Sequence, residues 1–123
     1  MSGGREAQQR GRWGEAVIIA YLRERGWTIV EVNFRCRVGE IDIIAANGTF
    51  LAFIEVKLRR DDDFAAARES VTRSKQRKIR LTAEYYLQRR PSNLQPRFDV
   101  AEVYAPNGAA TVSPEITYLE NAF

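Results

Sequence analysis

The sequence predicts an α/β fold in which a mixed central sheet is flanked by helices. Apolar residues recur at helical spacing in two segments, one before Gly26 and one between residues 71 and 87. Between these segments lie runs rich in β-branched and aromatic residues, two of which flank an Asn-Gly pair, a strong signal for a β-hairpin. Because 123 residues is the length of one domain, we expect residues 1–123 to form a single domain with a flexible tail at about residues 1–4.

In chain order we expect a helix, three strands, a second helix, a fourth strand and a short edge strand. The expected bounds are Arg5–Arg25, Trp27–Arg35, Ile41–Ala45, Phe50–Leu58, Phe64–Arg89, Arg97–Tyr104 and Ile116–Leu119. The apolar face of the first helix is expected to comprise Trp13, Ala16, Val17, Ala20 and Tyr21, widened by Ile18, Ile19 and Leu22. Since a crossover helix separates the third and fourth strands, we expect these two strands to pair in parallel.

The predicted hairpin brings acidic residues together. With Asn47-Gly48 as the loop, Glu40 lies opposite Glu55, and Asp42 is a diagonal neighbour of Glu55 at roughly 7 to 8 Å between backbones. Because side chains alternate along a strand, one face carries Glu40, Asp42, Glu55 and Lys57. Like charges directly across a strand pair are destabilising. The pattern therefore indicates that a cation belongs at this face.

The chain contains no histidine and one cysteine, Cys36. Without histidine, Ser-His-Asp catalysis, Cys-His catalysis and His-dependent zinc sites are excluded. An enzyme of this composition would use carboxylates, Lys, Arg and Tyr, and carboxylates are suited to Mg²⁺ or Mn²⁺. A lone cysteine, no signal peptide and no long apolar run lead us to expect a cytoplasmic protein with no membrane partner.

Positive charge is concentrated in the second helical segment. Residues 68–90 hold eight basic and two acidic residues, a net charge of +6, whereas the whole chain carries +3. A solvated face is the ordinary explanation of a charged run, but this concentration beside an acidic cluster favours contact with a polyanion. We expect contacts to a nucleic-acid backbone, without base reading, from Arg35, Arg37, Arg59, Arg60, Lys75 and Lys78.

Two further acidic residues have more than one interpretation. Glu15 lies at the margin of the first helix's apolar face, where a carboxylate is costly without a partner. The alternative is a solvated glutamate near the helix start, favoured by the helix dipole, and periodicity leaves both open. Asp99 alternates with Phe98 and Val100, and we expect it to be structural or to support the site from a distance.

Asp42, twelve intervening residues and then Glu55-Val56-Lys57 resemble the D…(D/E)-x-K motif of the restriction-endonuclease-like, or PD-(D/E)XK, nuclease superfamily. The core of that superfamily has the same αβββαβ order. From about Gly11 to Phe123, the chain resembles the YraN-like bacterial family of small uncharacterised proteins, related to archaeal Holliday junction resolvases. The segments that carry this resemblance are GRWGEAVIIAYLRERGW, NFRCRVGEIDIIA, FIEVKLR, RFDVAEV and NAF. The chain departs from the older form of the motif at Ile41, where a proline that binds no metal often stands.

The resemblance implies a metal site and a catalytic lysine. Glu15 matches a glutamate of the first helix that joins the metal cluster, which replaces the solvated interpretation. Asp42 matches the first metal-binding aspartate and Glu55 the second carboxylate, and we expect the backbone carbonyl of Val56 to complete a Mg²⁺ or Mn²⁺ site. Lys57 matches the lysine beside the attacking water. Lys75 matches a recurring basic position whose role, phosphate contact or helix packing, stays open, as does the role of Glu40.

These features predict a metal-dependent endonuclease that hydrolyses phosphodiester bonds of structured, branched DNA. The first alternative is a catalytically inactive nucleic-acid-binding module with the nuclease fold. The second is a protein-interaction domain. A homodimer would match the two equivalent cleavage sites of a four-way junction, although no residue pattern in the chain itself indicates dimerisation.

Overall fold

The computed structural model describes residues 2–60 and 71–123, with side chains from residue 11 onward. In chain order the elements are α1 (Ser2–Glu24), β1 (Thr28–Arg35), β2 (Glu40–Ala46), β3 (Phe50–Arg59), α2 (Arg73–Arg89), β4 (Gln95–Tyr104), a 3-10 helix (Gly108–Ala110) and β5 (Glu115–Leu119). The predicted αβββαβ order, followed by an edge strand, is confirmed. α1 begins at Ser2, Met1 lies outside the described residues, and the single domain with a flexible tail at about residues 1–4 stays a prediction.

The five strands form one mixed sheet in the order β1-β2-β3-β4-β5. Neighbouring strands are antiparallel except for β3 and β4, whose predicted parallel pairing is confirmed. One face of the sheet packs with α1 around Ile18, Leu22, Ile43, Ala45, Ala52, Ile54, Ala101, Val103 and Ala105. The other face packs with α2 around Ile41, Ile44, Leu51, Phe53, Ile79, Ala83, Tyr86 and Val100. No helix in the described ranges is long and apolar enough to cross a membrane.

The buried face of α1 is narrower than predicted. Its centre is Gly14, Ile18 and Leu22, which are spaced four residues apart, whereas the predicted face residues Ala16 and Ala20 are exposed. Burying Ile18 and Leu22 removes more apolar surface from water than burying two alanines, so the helix is rotated towards the larger side chains.

The β2–β3 hairpin is present, but the predicted register is wrong. Ala46 pairs with Leu51 and Ile44 with Phe53, two residues away from the predicted partners Thr49 and Leu51, and the loop is Gly48-Thr49. The cause is Asn47, whose side-chain Oδ1 accepts hydrogen bonds from the backbone N–H of Thr49 at 2.9 Å and of Phe50 at 2.6 Å. These bonds form an Asx-type turn, and neither Asn47 nor Gly48 adopts the positive φ of the expected turn.

This register also corrects the predicted pairing of Glu40 with Glu55. Continuing the observed pairs would bring Asp42, rather than Glu40, opposite Glu55. Glu40 instead pairs with Arg35 on β1, and its carboxylate lies 3.1 Å from the Arg35 guanidinium. The repulsion expected between Glu40 and Glu55 is therefore replaced by an exposed ion pair.

The second helix begins later than predicted. The expected start at Phe64 lies outside the described residues, but Thr72 is extended and α2 begins at Arg73. The Thr72 hydroxyl accepts a hydrogen bond from the backbone N–H of Lys75 at 3.2 Å, as an N-cap residue does. A continuous helix from Phe64 to Arg89 is thus excluded by the cap at Thr72.

Asp99 is a structural residue, in agreement with one of its two predicted roles. Its fully buried carboxylate accepts hydrogen bonds from Arg97 Nε and Nη2, each at 3.0 Å, and from the Tyr118 hydroxyl at 2.6 Å. The backbone N–H of Asn121 donates to the same carboxylate at 2.9 Å. Because four donors compensate its burial, Asp99 joins β4, β5 and the C-terminal residues.

Gly39 allows the β1–β2 loop to approach α2. A Cβ atom at this position would lie 2.9 Å from Thr82 Oγ1, closer than carbon and oxygen tolerate. Thr82 is fully buried and its hydroxyl donates to the Lys78 carbonyl at 2.7 Å, so it has little freedom to move. The loop that connects the two strands beside the candidate site is therefore fixed by close packing on α2.

Gly39→Ala is expected to destabilise the protein by about 1 to 3 kcal/mol, because the added methyl overlaps the Thr82 hydroxyl. Urea denaturation measures this change. The cost should shrink in a Thr82→Ala background, where the overlapping oxygen is absent. Gly48→Ala is the control, since a Cβ there meets no atom within 4 Å. Equal effects of the two glycine substitutions would contradict the packing argument.

Candidate active site

The site is built where the ladder between β2 and β3 ends. The last regular pair is Ile43 with Ile54, although β2 continues to Glu40 and β3 to Arg59. Beyond this pair, the backbone N–H of Val56 donates to Asp42 Oδ2 at 2.8 Å. A side-chain carboxylate thus takes the place of a backbone acceptor, which fixes Asp42 at the opening between the strands.

On the other side of β2, Asn33 links β1 to α1. Asn33 has a φ of 56° inside a strand, between the pairs Val32–Ile43 and Phe34–Ile41. Its side-chain Nδ2 donates to Glu15 Oε1 at 3.0 Å. Positive φ is unfavourable for residues with a Cβ, although asparagine tolerates it better than most. The strained backbone at Asn33 therefore accompanies the hydrogen bond that orients Glu15.

A pocket of about 610 Å³ lies at this end of the sheet. It is lined by Gly11, Arg12, Glu15, Asn33, Arg35, Glu40 and Asp42. The structure thus brings together three of the predicted acidic residues, Glu15, Glu40 and Asp42, with Arg12 and Arg35. A pocket lined by both carboxylates and guanidinium groups can accept a cation together with an anionic ligand.

Glu55 and Lys57 project from the end of β3 on the side of α2. Lys57 Nζ lies 3.5 Å from Glu55 Oε1, and Lys75 Nζ, from the first turn of α2, lies 2.6 Å from the same oxygen. Glu55 is buried, with 7% of its surface exposed. The predicted spacing of Glu55 and Lys57 on one face is confirmed, and Lys75 joins them.

The carboxylates of this cluster raise the proton affinity of Asp42. Burial first, and then the charge of Glu55, raise the pKa of Asp42 to about 7, while the hydrogen bond from Val56 lowers it; Glu15 and Glu40 add smaller increases. Burial also raises the pKa of Glu15, against the hydrogen bond from Asn33, which lowers it. Burial and the neighbouring carboxylates therefore both disfavour the charged form of Asp42.

The two lysines near Glu55 differ in their proton affinity. Burial and the neighbouring Lys75 ammonium lower the pKa of Lys57 below its ordinary value. Burial also acts to lower the pKa of Lys75, but its hydrogen bonds to Glu55 and Lys57 and the charge of Glu55 raise that pKa overall. Lys75 therefore holds its positive charge more firmly, and Lys57 is the lysine that more readily gives up a proton.

The donor set is chemically suited to a divalent cation, but it is not assembled as a ready-made cage. Asp42, Glu55, Glu15 and the Val56 carbonyl offer the oxygen ligands that Mg²⁺ and Mn²⁺ prefer, and Mg²⁺ often uses one or two carboxylates with water. In the part of the chain that the structure describes, no three carboxylate, cysteine or histidine side chains are close enough to hold a metal ion together. At Glu55, the Lys75 ammonium stands where a cation would bind.

The predicted nucleic-acid-binding residues are in different environments. Arg37, Arg60 and Lys78 are exposed, and Arg35 is exposed but paired with Glu40. Arg59 is largely buried, and its Nε lies 2.9 Å from Glu102 on β4, so it contributes to the sheet itself. Lys75 is bound to Glu55. Four of the six predicted residues thus offer exposed cations near this end of the sheet.

Sequence reasoning missed two residues of the site. Asn33 lies inside the strand predicted at Trp27–Arg35, but asparagine is depleted in strands and tolerates positive φ, and this is the signal that the sequence offers. Arg12 lines the pocket one turn before Glu15, and that spacing on the helix could have indicated its position. The contact of Lys75 with Glu55 depends on the packing of α2 against the sheet, for which the sequence carries no local signal.

Known proteins resemble this chain over most of its length. The profile of a family described as "Uncharacterised protein family UPF0102" matches residues 14–103. A UPF0102 protein of Caldicellulosiruptor saccharolyticus is 39% identical over 94% of this chain and 98% of its own length. One of Hahella chejuensis is 50% identical over 73% of each chain. The expected resemblance to a family of uncharacterised proteins is confirmed, and the relationship to nucleases and resolvases stays a prediction.

Asp42→Asn is expected to stabilise the metal-free protein at alkaline pH. Since the pKa of Asp42 is raised to about 7 in the folded state, its contribution to stability is present in acid and is lost as the pH rises through 7. The variant keeps an acceptor for the Val56 N–H but has no proton to lose, so it acquires no negative charge as the pH rises. Its melting temperature in the presence of chelator should match that of wild type near pH 4 and exceed it by about 5 °C at pH 8.

The control is Glu84→Gln, which neutralises an exposed glutamate of α2 outside the cluster. Its difference from wild type should stay nearly constant across the same pH range. A melting temperature of Asp42→Asn that runs parallel to wild type from pH 4 to pH 8 would contradict the charge crowding at Asp42.

Proposed function

We propose that this chain, which belongs to the uncharacterised protein family UPF0102, is a metal-dependent endonuclease that hydrolyses phosphodiester bonds of structured, branched DNA. The observation that carries the proposal is the meeting of Asp42, Glu55 and Lys57 where the β2–β3 ladder ends. Glu15 in the adjoining pocket and the resemblance of Asp42, Glu55 and Lys57 to the PD-(D/E)XK motif support the proposal. The relationship to that superfamily and to archaeal Holliday junction resolvases is part of the proposal.

Asp42, Glu55, Glu15 and the Val56 carbonyl are the groups that would hold Mg²⁺ or Mn²⁺. The ion would supply Lewis-acid chemistry, polarising a phosphoryl oxygen and increasing the acidity of water. The hydrogen bond from Val56 leaves Asp42 Oδ1 available as a ligand, while Asn33 orients the Glu15 carboxylate. Ligands fixed in this way need little rearrangement when an ion binds.

Lys57 is the residue proposed to act on the attacking water or on the charge that develops at the phosphate. Its Nζ is held 3.5 Å from Glu55 and its pKa is lowered by burial and by Lys75. A lysine of lowered proton affinity can exchange a proton more readily near neutral pH than an ordinary lysine. While charged, the same ammonium stabilises negative charge at the phosphate.

The exposed cations near the site favour a polyanionic substrate. Arg12 and Arg35 line the pocket, and Arg37, Arg60 and Lys78 are exposed on neighbouring segments. Such residues would position a phosphate backbone without reading base sequence. A two-fold homodimer would suit the two equivalent strands of a four-way junction. Dimerisation, the choice of DNA over RNA and a cytoplasmic location remain predictions.

The test is cleavage of labelled four-way junctions and flapped duplexes by purified protein with Mg²⁺ or Mn²⁺. Wild type should cut these substrates, and both Asp42→Asn and Lys57→Ala should lower the rate by about 100-fold or more, because Asp42 would hold the ion and Lys57 would act on the water or the phosphate. Glu84→Gln should cut at the wild-type rate. Equal traces of cleavage by wild type and both site variants would identify a contaminant and reject the enzyme proposal.

A nucleic-acid-binding module without turnover is the second candidate function. The observation that favours it is the Lys75 ammonium on Glu55, which neutralises that carboxylate without a divalent ion. This alternative predicts salt-sensitive DNA binding that survives Asp42→Asn, with no heat of Mg²⁺ or Mn²⁺ binding in calorimetry. A protein that binds no nucleic acid at low salt would instead support a protein-interaction domain.

A further inference from the structure

Two ammonium groups compete for one buried carboxylate oxygen. Lys75 Nζ lies 2.6 Å from Glu55 Oε1, and Lys57 Nζ lies 3.5 Å from the same atom. Glu55 is 7% exposed, so its charge is removed from water and needs a cation nearby. The shorter contact belongs to Lys75, which is therefore the main counter-cation of Glu55 in the metal-free protein.

The position of Lys75 on α2 does not itself stabilise the charge of Lys75, so the contact with Glu55 depends on Glu55 alone. Lys75 is the third residue of the helix, and its backbone N–H is fixed by the Thr72 cap at 3.2 Å. A cation in the first turn is disfavoured by the helix dipole, and the first turn of α2 contains no acidic residue. Lys75 is thus held by Glu55 across the gap to β3 rather than by its own helix.

The Lys75 side chain also has a path to solvent. It is 41% exposed, whereas the Glu55 side chain is 8% exposed. Loss of the contact would therefore leave Lys75 hydrated but would leave the buried Glu55 carboxylate with only the more distant Lys57 ammonium as counter-cation. Lys75 can leave without a large penalty of its own, provided that another cation takes its place at Glu55.

We propose that Lys75 is an exchangeable counter-cation of Glu55, which a divalent ion bound at Asp42 and Glu55 displaces. This inference rests on the proposed function in that it requires the metal ion, but it does not require DNA cleavage. Both cations need Glu55 Oε1, and a divalent ion next to an ammonium group would be repelled by it. Lys75 and the ion therefore exclude each other, and the displaced ammonium is released towards the exposed side of α2.

The exchange accounts for the incomplete metal cage in this structure. Glu55 is turned to Lys75, and no three acidic side chains of the described residues are grouped for metal binding. Release of Lys75 frees Glu55 to turn towards Asp42, whose Oδ2 is already fixed by the Val56 N–H. Lys75 is in this account a positioning residue, since it acts through Glu55.

The test is Mn²⁺ binding to chelator-treated protein, measured by calorimetry without nucleic acid. Lys75→Met keeps the length of the side chain and removes its charge, so it should bind Mn²⁺ about 10-fold more tightly than wild type. Its melting temperature without metal should be lower than that of wild type, and the rise on adding Mn²⁺ should be larger. Lys75→Arg, which keeps the charge, should bind Mn²⁺ no more tightly than wild type.

Lys78→Met is the matched control, because it removes the same charge from an exposed position one turn later on α2. Its Mn²⁺ affinity should stay within about twofold of wild type, since an exposed charge is screened by solvent. An affinity of Lys75→Met that equals or falls below that of wild type, or a gain that Lys78→Met reproduces, would overturn the proposal.

A second measurement uses the wild-type protein and covers the case that Lys75→Met does not fold. The side-chain NMR signal of Lys75, assigned by its absence from Lys75→Arg spectra, should change from a held to a mobile ammonium as Mg²⁺ saturates the protein. A signal that stays unchanged at saturation would reject the exchange.

The outcomes separate this inference from the nuclease proposal. Tighter Mn²⁺ binding by Lys75→Met without DNA cleavage by wild type supports the exchange and rejects the nuclease. Metal-dependent cleavage with equal Mn²⁺ affinities supports the nuclease and rejects the exchange. If neither wild type nor Lys75→Met binds Mn²⁺, the exchange fails together with the metal site.

Discussion

The candidate site depends on one hydrogen bond at the end of the β2–β3 ladder, in which a side-chain carboxylate replaces a backbone carbonyl as the acceptor. Where regular pairing stops after Ile43 and Ile54, the Val56 N–H donates to the Asp42 carboxylate at 2.8 Å instead of to a backbone carbonyl. This single bond fixes Asp42 between the two strands and leaves room for other side chains at the opening. Burial and the charge of Glu55 raise the pKa of Asp42 to about 7. The geometry that positions the carboxylate therefore also disfavours its charged form.

The remainder of the fold supports the end of the β2–β3 ladder, where the charged form of Asp42 is disfavoured. In the middle of β4, where Asp99 pairs with Ile54 of β3, the Asp99 charge is compensated by Arg97, Tyr118 and Asn121. The Arg97 guanidinium also packs 4.5 Å from the ring centroid of Phe50. The Asp99 network is buried like the candidate site, but each of its buried charges is paired and hydrogen-bonded. A fully paired network of this kind is structural, whereas crowded carboxylates such as Asp42 and Glu55 are typical of functional sites.

Much of the fold follows from local pattern. The αβββαβ order, the hairpin and the parallel pairing of β3 with β4 were predictable, because alternation, helical spacing and a crossover helix are local or topological signals. The register was not, since it depends on the Asn47 side chain bonding its own turn. The predicted faces of Glu55 and Lys57 survived that error because the pairing shifted by two residues, and an even shift preserves the alternation of side chains.

The residues of the site were predictable to the extent that a motif and a resemblance name them. Asp42, Glu55, Lys57 and Glu15 were identified in this way, and the structure places all four at one end of the sheet. Lys75 and Asn33 reach the site through tertiary packing and a strained φ, respectively, and neither is encoded by spacing along one element. The pairing of Glu40 with Arg35 likewise depends on which strand lies beside β2.

We propose that this end of the sheet binds a divalent cation through Asp42 and Glu55 for phosphodiester hydrolysis. Anomalous diffraction from crystals grown with Mn²⁺ and a short branched DNA tests it most directly. The account predicts an anomalous peak within ligand distance of Asp42 and Glu55, next to a DNA phosphate, with Lys75 no longer on Glu55 Oε1. A map with bound DNA elsewhere, no peak at these carboxylates and Lys75 still in contact with Glu55 would contradict the account.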